Sequence, residues 1–151
     1  MGRGSMINQE VKEVSLDGKI IHKTYEIPGR PIAWARAGQN KGRYYDKQIH
    51  LKRIVWAQLA QQHGNSPAFT GPISIQFMFY MPLANSLSKK KKESLSNTYH
   101  HCIPDLSNLV KFYEDAAKGI LFKDDAQIAH IQATKVYAPE SKVLIYIKSL
   151  E

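Results

Sequence analysis

Cysteine is nearly absent from this chain of 151 residues, and so are the long apolar runs that membrane proteins need. The single cysteine, Cys102, has no partner for an internal disulfide, so we expect a reducing compartment such as the cytoplasm. No apolar run approaches the roughly 20 residues of a membrane-spanning helix, and no apolar segment follows the start to make a secretory signal. The Gly-Ser-Met sequence that ends residues 1–6 indicates a remnant of recombinant expression. We assign residues 7–151 to one domain, which is long enough to bury a core without disulfides.

Acidic residues are also scarce, since 13 of them face 21 lysines and arginines, for a formal net charge of +8. Such an excess favours a polyanionic partner, most commonly nucleic acid, although solubility alone could also account for it. Five of the 13 acids lie between residues 105 and 125, and these are Asp105, Glu114, Asp115, Asp124 and Asp125. This concentration within a basic chain marks one segment as a candidate site.

Hydrophobic periodicity predicts the order strand, helix, strand, short helix, helix, strand, strand. The strands are expected at 19–27, 73–81, 127–136 and 142–148, and the two main helices follow Asp46 and Asp105 as capping residues. Most of the apolar stripe of the first of these helices is expected to lie in the core. The turn Pro139-Glu140-Ser141 predicts that the last two strands pair as an antiparallel hairpin. The fold class is therefore α+β, a single domain whose small mixed or antiparallel sheet of about four strands packs against two main helices.

The helix after Asp105 is expected to place a polar stripe opposite its apolar face, because residues three, four and seven apart share a side. That stripe contains Ser107, Lys111, Glu114, Asp115 and Lys118. A returning strand could then bring the pair Asp124-Asp125 beside the start of the helix.

Carboxylates from two elements beside a lysine are typical of a metal site that handles phosphate. Oxygen ligands suit Mg²⁺, which binds through one or two carboxylates and substrate phosphates while it keeps several waters. Lys111 could stabilise charge on a phosphodiester in the transition state. In the alternative interpretation Asp105 only caps the helix, the stripe is solvated, and Asp124 and Asp125 are turn residues.

Two basic segments are candidate DNA contacts. The loop at 30–45 interleaves Arg30, Arg36 and Arg43 with Trp34, Tyr44 and Tyr45, a pattern that can bind phosphates and stack on bases. An ordinary solvated loop with its aromatic residues in the core explains the same pattern. A run of four lysines, of which Lys89, Lys90 and Lys91 are assigned to DNA, either contacts phosphate or forms a solvated helix face.

The segment Pro104-Asp105-Leu106-Ser107-Asn108-Leu109-x-Lys111, followed by Phe122-x-Asp124-Asp125-Ala126-Gln127-Ile128, resembles the signature of the RusA family of Holliday-junction resolvases. The resemblance includes Asp115-Ala116 between these two segments. It extends upstream through Pro28-Gly29-Arg30-Pro31, Tyr44-Tyr45, and Met81-Pro82 with Ser88-Lys89-Lys90. It implies a dimeric endodeoxyribonuclease that depends on Mg²⁺, or on Mn²⁺ in its place, and cuts paired strands of a four-way junction. It also implies that Asp105 and Asp125 are the catalytic aspartates and Lys111 the catalytic lysine.

The chain departs from that signature at Ser107, where the family usually has a second aspartate. Serine is a neutral and weaker ligand, so the metal site loses one negative charge. We expect Glu114 or Asp124 to compensate, which gives Asp105, Asp125, Asp124 and Glu114 as candidate metal ligands. The alternative is a junction-binding protein whose site is degenerate and weakly active or inactive. A hydrolase of small phosphate esters would leave the net charge unexplained.

The basic composition makes one prediction about binding. Affinity for DNA is expected to fall steeply as salt rises, because lysines and arginines that neutralise phosphates release counterions. Fluorescence anisotropy with a labelled four-way junction over a range of salt concentrations measures the slope. An affinity that does not change with salt would contradict the assignment of the basic residues to phosphate.

Overall fold

The structure, a computed structural model, describes residues 18–151, so the expected remnant at 1–6 lies outside the described residues. Its elements in chain order are β1 His22–Pro28, β2 Gly38–Asn40, β3 Arg43–Tyr45, α1 Ile49–His63, β4 Ile73–Pro82, α2 Lys89–Leu95, α3 Leu106–Ala117, a short 3₁₀ helix Asp125–Gln127, β5 Ile128–Ala138 and β6 Lys142–Ser149. None of the helices in this part of the chain has the length and apolar character needed to cross a membrane.

Four strands form one mixed sheet in the order β1-β6-β4-β5. Strand β4 pairs parallel with β5 and antiparallel with β6, and β6 also pairs antiparallel with β1. Strands β2 and β3 form a separate two-stranded antiparallel hairpin. The expected single α+β domain with a sheet of four strands is confirmed.

The predicted hairpin between the last two strands is wrong, because β4 lies between them. Tyr80 of β4 is level with Lys142 at the start of β6, and Pro82 is level with Ala138 at the end of β5. Residues 139–141 therefore cross over the end of β4. Two strand spacings amount to about 10 Å, and the four Cα steps from residue 138 to residue 142 can span that distance. The sequence of residues 139–141 therefore indicates a short connection, but it does not determine whether the two strands that it joins are neighbours in the sheet.

The core lies between the sheet and helices α1 and α3. Strand β4 alternates as predicted, and its buried residues are Ile73, Ile75, Phe77, Phe79 and Met81. Helix α3 buries Leu109, Phe112, Tyr113, Ala116 and Ala117 against them, with the rings of Phe79 and Tyr113 5.8 Å apart. Because this apolar face is fixed on the sheet, the polar stripe of α3 is turned away from the core.

Helix α1 differs from its predicted form. Only Val55, Leu59 and His63 are buried on it, whereas the apolar side chains Ile49, Ile54 and Trp56 are exposed. The expectation that most of its apolar stripe belongs to the core is therefore wrong. The helix contacts β1 and α3 along one narrow face, so its other apolar residues remain at the surface. Gln48 stands at its N-cap in place of Asp46, whose carboxylate accepts the Gln48 backbone N–H at 2.8 Å.

The loop at 30–45 is tied to α3 by two hydrogen bonds. The Tyr113 hydroxyl accepts the backbone N–H of Ile32 at 2.9 Å, and the backbone carbonyl of Asn108 accepts that of Trp34 at 2.8 Å. Burial raises the pKa of Tyr113 from 10.0 to about 12, and the hydrogen bond from Ile32 opposes that rise. The loop, the helix and the sheet are thus joined at one tyrosine.

Replacing Tyr113 with phenylalanine is expected to lower the free energy of unfolding by about 1–2 kcal/mol at neutral pH, because the Ile32 N–H loses its acceptor. The raised pKa adds a pH dependence. The unfolded tyrosine ionises near pH 10.0, whereas the folded one ionises only at about pH 12. The free energy of unfolding is therefore unaffected by this group below pH 10.0 and falls as the pH rises from there towards about 12. Urea unfolding at neutral pH and at about pH 11 measures both effects.

The variant should show less of the alkaline loss of stability than the wild type. Tyr99→Phe is the matched control, since Tyr99 is 76% exposed. Equal alkaline losses in wild type and Tyr113→Phe would contradict the assignment.

Candidate active site

Asp105 occupies the N-cap of α3, as predicted, but its carboxylate makes no capping hydrogen bond. Its backbone carbonyl accepts the N–H groups of Asn108 and Leu109 at 3.1 and 3.2 Å, which begin the helix. The side chain is exposed. The purely structural interpretation of Asp105 therefore loses its main basis, because an aspartate that caps a helix accepts a backbone N–H through its carboxylate.

Lys135 of β5 holds the loop that leads into Asp105. Its ammonium donates to the backbone carbonyls of Cys102 and Pro104 at 2.5 and 2.6 Å, and its own carbonyl accepts the His100 N–H at 3.0 Å. This positioning residue is absent from the sequence-based site. A lysine in a strand has no distinctive pattern, and its acceptors are backbone atoms more than 30 residues away, so the sequence carries no signal for it.

Gln127 fixes the turn that carries Asp125. Its amide nitrogen donates to the carbonyls of Phe69 and Gly71, both at 3.0 Å. Its amide oxygen accepts the backbone N–H groups of Lys123 and Asp124, at 2.9 and 3.0 Å. One side chain thus joins the turn to the segment that precedes β4. The expected motif contains Gln127, and the structure supplies the reason for an amide at that position, since only an amide both donates and accepts in this way.

Asp125 lies beside the second half of α3, and the prediction that it lies beside the start of this helix is wrong. One of its carboxylate oxygens is 3.8 Å from the ammonium of Lys118. The other, Oδ1, is buried and has no hydrogen-bond partner among the residues that the structure describes. A buried carboxylate oxygen without a donor is uncommon and calls for a cation or an ordered water.

Glu114 is the acid that the structure brings towards Asp125. Burial raises the pKa of Glu114 above its usual value, the negative charges of Asp125 and Asp115 raise it further, and Lys111 opposes the rise. Two carboxylates that repel each other in a partly buried place are stabilised by a cation between them. Asp115 is engaged elsewhere, because its carboxylate is 3.7 Å from the ammonium of Lys52.

The other candidate residues have distinct surroundings. Asp124 caps the 3₁₀ helix, and its carboxylate accepts the Ala126 N–H at 3.0 Å. The ammonium of Lys111 lies 5.3 Å from the ring centre of Trp34. Ser107 is exposed on the first turn of α3. Nine residues separate Asp105 from Glu114, a rise of about 13 Å along a helix, so these two carboxylates stand at different heights on the polar stripe.

The donor set suits a hard cation with few protein ligands. Within residues 18–151 no three histidine, cysteine, aspartate or glutamate side chains gather closely enough to hold a metal ion. Mg²⁺ does not require three, since it usually binds through one or two carboxylates and keeps several waters. Asp125, with its unpartnered oxygen, and Glu114, with its raised pKa, are the pair that meets this requirement.

The basic residues assigned to DNA are all exposed, and they are Arg30, Arg36, Arg43, Lys89, Lys90 and Lys91. Arg36 and Arg43 belong to the segment 36–47, whose centre is the β2–β3 hairpin. The three lysines form the first turn of α2, after the Ser88 hydroxyl accepts the Lys91 N–H at 3.1 Å. All six side chains are therefore accessible to a nucleic acid.

Comparison with known proteins identifies the family. The profile of Endodeoxyribonuclease RusA matches residues 28–148, which run from the last residue of β1 to the penultimate residue of β6. The chain belongs to the RusA family. A protein of Bacillus subtilis (strain 168) described as Uncharacterized protein YqaN is 33% identical over 126 residues, which cover 81% of this chain and 88% of that protein. The RusA match supports nuclease activity towards Holliday junctions in DNA recombination, and the predicted family is confirmed.

The position of Glu114 beside Asp125 can be tested by titration. Asp125→Asn is expected to lower the pKa of Glu114, because it removes a negative charge that disfavours the ionised form. NMR detection of the Glu114 side-chain carboxyl carbon as a function of pH measures the change. Asp124→Asn is the matched control, since it removes the same charge one residue away and asparagine can still cap the turn. A larger shift in the control than in Asp125→Asn would contradict the arrangement.

Proposed function

We propose that this RusA-family protein is a Mg²⁺-dependent endonuclease that cleaves four-way DNA junctions as a homodimer during recombination and repair. The observation that carries the metal dependence is the buried, unpartnered oxygen of Asp125 beside Glu114. A cation there would satisfy the orphaned oxygen and offset the repulsion between the two carboxylates. Mn²⁺ prefers the same oxygen ligands and is the alternative ion.

Asp125 and Glu114 are the proposed metal ligands that the structure brings together. Asp105 is the further ligand that the RusA signature implies, and because it lies about 13 Å from Glu114 along the helix axis, it would hold a second cation. When bound, the cation supplies a nucleophile at neutral pH by acidifying water and offsets the charge of the phosphate. Of the four candidate metal ligands, Asp124 is the least suited to bind the cation, because its carboxylate already accepts the Ala126 N–H at the turn.

The protein side chains have separate roles in the proposed hydrolysis. Water adds to phosphorus while one P–O bond of the backbone breaks, so negative charge builds on the non-bridging oxygens and on the leaving oxygen. Lys111 is the proposed donor to those oxygens. Its ammonium is exposed, and its contact with the Trp34 ring limits the positions it can adopt. Lys135 and Gln127 act indirectly, since they hold the loop before Asp105 and the turn of Asp125.

The partner follows from charge and symmetry. The six exposed basic residues at the hairpin, at α2 and at Arg30 would neutralise phosphates and supply most of the affinity. A four-way junction has two-fold symmetry, and paired cuts need two active sites, so a two-fold dimer is the proposed assembly. The exposed free thiol of Cys102 agrees with a cytoplasmic place of action, where thiols remain reduced.

The decisive experiment is cleavage of a synthetic four-way junction with and without Mg²⁺. Asp125→Asn, Asp105→Asn and Lys111→Met are each expected to lower the cleavage rate about 100-fold or more. Junction affinity should remain unchanged or increase for the aspartate variants, because a negative charge facing phosphate is removed. Binding of Mn²⁺ to the free protein, measured by electron paramagnetic resonance, should weaken in Asp125→Asn and in Glu114→Gln. Cleavage at the wild-type rate without a divalent cation, or in Asp125→Asn, would contradict the proposal.

A second candidate is a junction-binding protein with a degenerate site. It is favoured by the neutral Ser107 on the first turn of α3, where the RusA signature has an aspartate. Ser107→Asp separates the two functions. If Glu114 compensates, the wild type already cuts and the substitution changes the rate little. If the wild type binds junctions without cutting and Ser107→Asp restores cleavage, the degenerate-site function is correct.

A further inference from the structure

A groove lies beside the proposed catalytic lysine, between the loop at 31–37 and the β2–β3 hairpin. Three aromatic residues line it, Trp34, Tyr44 and Tyr45, together with two alanines and the ion pair of Asp46 and Lys52. Its volume is about 290 Å³, close to the lower limit of small-molecule sites. This size suits a single heterocycle better than a folded peptide segment.

Two of the aromatic residues are held in place by backbone contacts. The ring of Tyr45 lies directly on Gly38, its partner across the hairpin, where a Cβ atom would occupy the space of the ring. The backbone N–H of Trp34 donates to the backbone carbonyl of Asn108 in α3 at 2.8 Å, and the Lys111 ammonium lies 5.3 Å from the centre of its ring. The Tyr45 ring and the backbone at Trp34 are thereby positioned before any ligand arrives, which lowers the entropy cost of binding.

The hairpin presents these rings to solvent in a basic environment. Tyr44 is 76% exposed and Tyr45 is 51% exposed. The segment 36–47 has four basic residues and a single acid, Asp46. That acid is matched by the Lys52 ammonium at 2.8 Å, and this hydrogen bond is the main reason that the pKa of Asp46 is lowered. The charge around the groove therefore favours a ligand with phosphates.

We propose that this groove takes an unpaired DNA base from a nucleotide next to the phosphate that is cut. A base has an aromatic face whatever its sequence, and stacking on aromatic side chains is the usual way in which proteins hold single-stranded nucleotides. Lys111 connects the groove to the chemistry, because its ammonium lies against Trp34. A base stacked here thus places its own phosphate within the reach of the proposed catalytic residues.

This inference rests on the proposed function and adds a source of substrate selectivity. Bases in intact duplex are stacked and paired, and extruding one costs a few kcal/mol, whereas an unpaired base costs least. Bases at the exchange point of a junction are the ones most easily unstacked. The groove would therefore favour branched over linear DNA without reading sequence.

The test uses Trp34 as its own probe. In a Trp56→Phe background Trp34 is the sole tryptophan, and Trp56 lies half-exposed on α1. A thymidine oligonucleotide of about eight nucleotides is titrated without divalent cations, so that cleavage plays no part. A base-free oligonucleotide with the same number of phosphates is the matched probe. Stacking predicts quenching of Trp34 by the first probe and little by the second.

Two substitutions of Tyr44 separate its ring from its hydroxyl. Tyr44→Ala is expected to weaken oligonucleotide binding roughly five- to 150-fold, in proportion to the stacking energy of one base. Tyr44→Phe keeps the ring and should bind like the parent. Equal quenching by both probes, or an unchanged affinity in Tyr44→Ala, would overturn the inference in favour of a phosphate contact. A shift of Tyr44→Ala from dimer to monomer in sedimentation, with base binding unchanged, would show that a second copy of the chain fills the groove.

Cleavage assays keep this inference distinct from the proposed function. One comparison is the wild-type cleavage rate on a junction that lacks the base beside the cut, relative to the intact junction. The other is the rate of Tyr44→Ala on the intact junction, relative to the wild type. The two reductions in rate should be about equal. The two changes combined should cost little more than either alone, because both remove the same contact. Additive losses would overturn the base-stacking assignment. If the wild type cuts no junction, the proposed nuclease activity is contradicted. The Trp34 titration still shows whether the groove binds a base, because it does not depend on cleavage.

Discussion

The packing of α3 on the sheet is the constraint on which the rest of the structure depends. Five residues of this helix are buried, and the ring of Tyr113 lies between that of Phe112 in the same helix and that of Phe79 in β4. Once that face is fixed, the helix cannot rotate without exposing the core. The opposite stripe is then fixed as well, and Lys111 and Glu114 face the loop and the turn that supply Trp34 and Asp125. A purely apolar contact thus determines where the charged groups stand.

The elements around this helix are joined by hydrogen bonds that cross large sequence distances. Tyr113 binds the loop at Ile32, Lys135 binds the loop before Asp105, and Gln127 binds the segment before β4. Each bond places a polar side chain where backbone groups would otherwise lack partners. As a result, the loops and the turn of the candidate site are each attached to another part of the fold by a side-chain hydrogen bond. Such attachment holds a constellation of side chains within the narrow limits that catalysis requires.

Much of the fold could be predicted from the chain because it depends on local periodicity. The start of α3 at a Pro-Asp pair and the alternation in β4 are both confirmed. The strand order could not be predicted, since the turn at 139–141 serves a crossing of β4 as well as it serves a hairpin. The β2–β3 hairpin was expected as loop, because strands of three residues carry too short a pattern. The exposed face of α1 could not be predicted for a different reason. The apolar stripe of a helix does not show how much of that stripe is covered by neighbouring elements.

The candidate site was likewise predicted only in part from the sequence. Residue types and their spacing identified the acids and the lysine, and they suggested an ion that prefers oxygen ligands. The neighbourhood of Glu114 and Asp125 arises only when the chain after α3 folds back along the helix. The supporting residue Lys135 contacts backbone carbonyls, which have the same chemistry in every sequence, so no pattern could point to it.

The central position of β6 has a consequence for the order of folding. This strand pairs with β1 on one side and with β4 on the other, so it joins residues as distant as His22 and Lys148. Contacts of such high sequence separation form late, because a long stretch of chain must be ordered before they stabilise it. During synthesis β1 and β4 must wait for residues 142–149 to leave the ribosome before the sheet can close. Helix α3 can have no complete surface to pack on until then, so a partly made chain cannot present an assembled site.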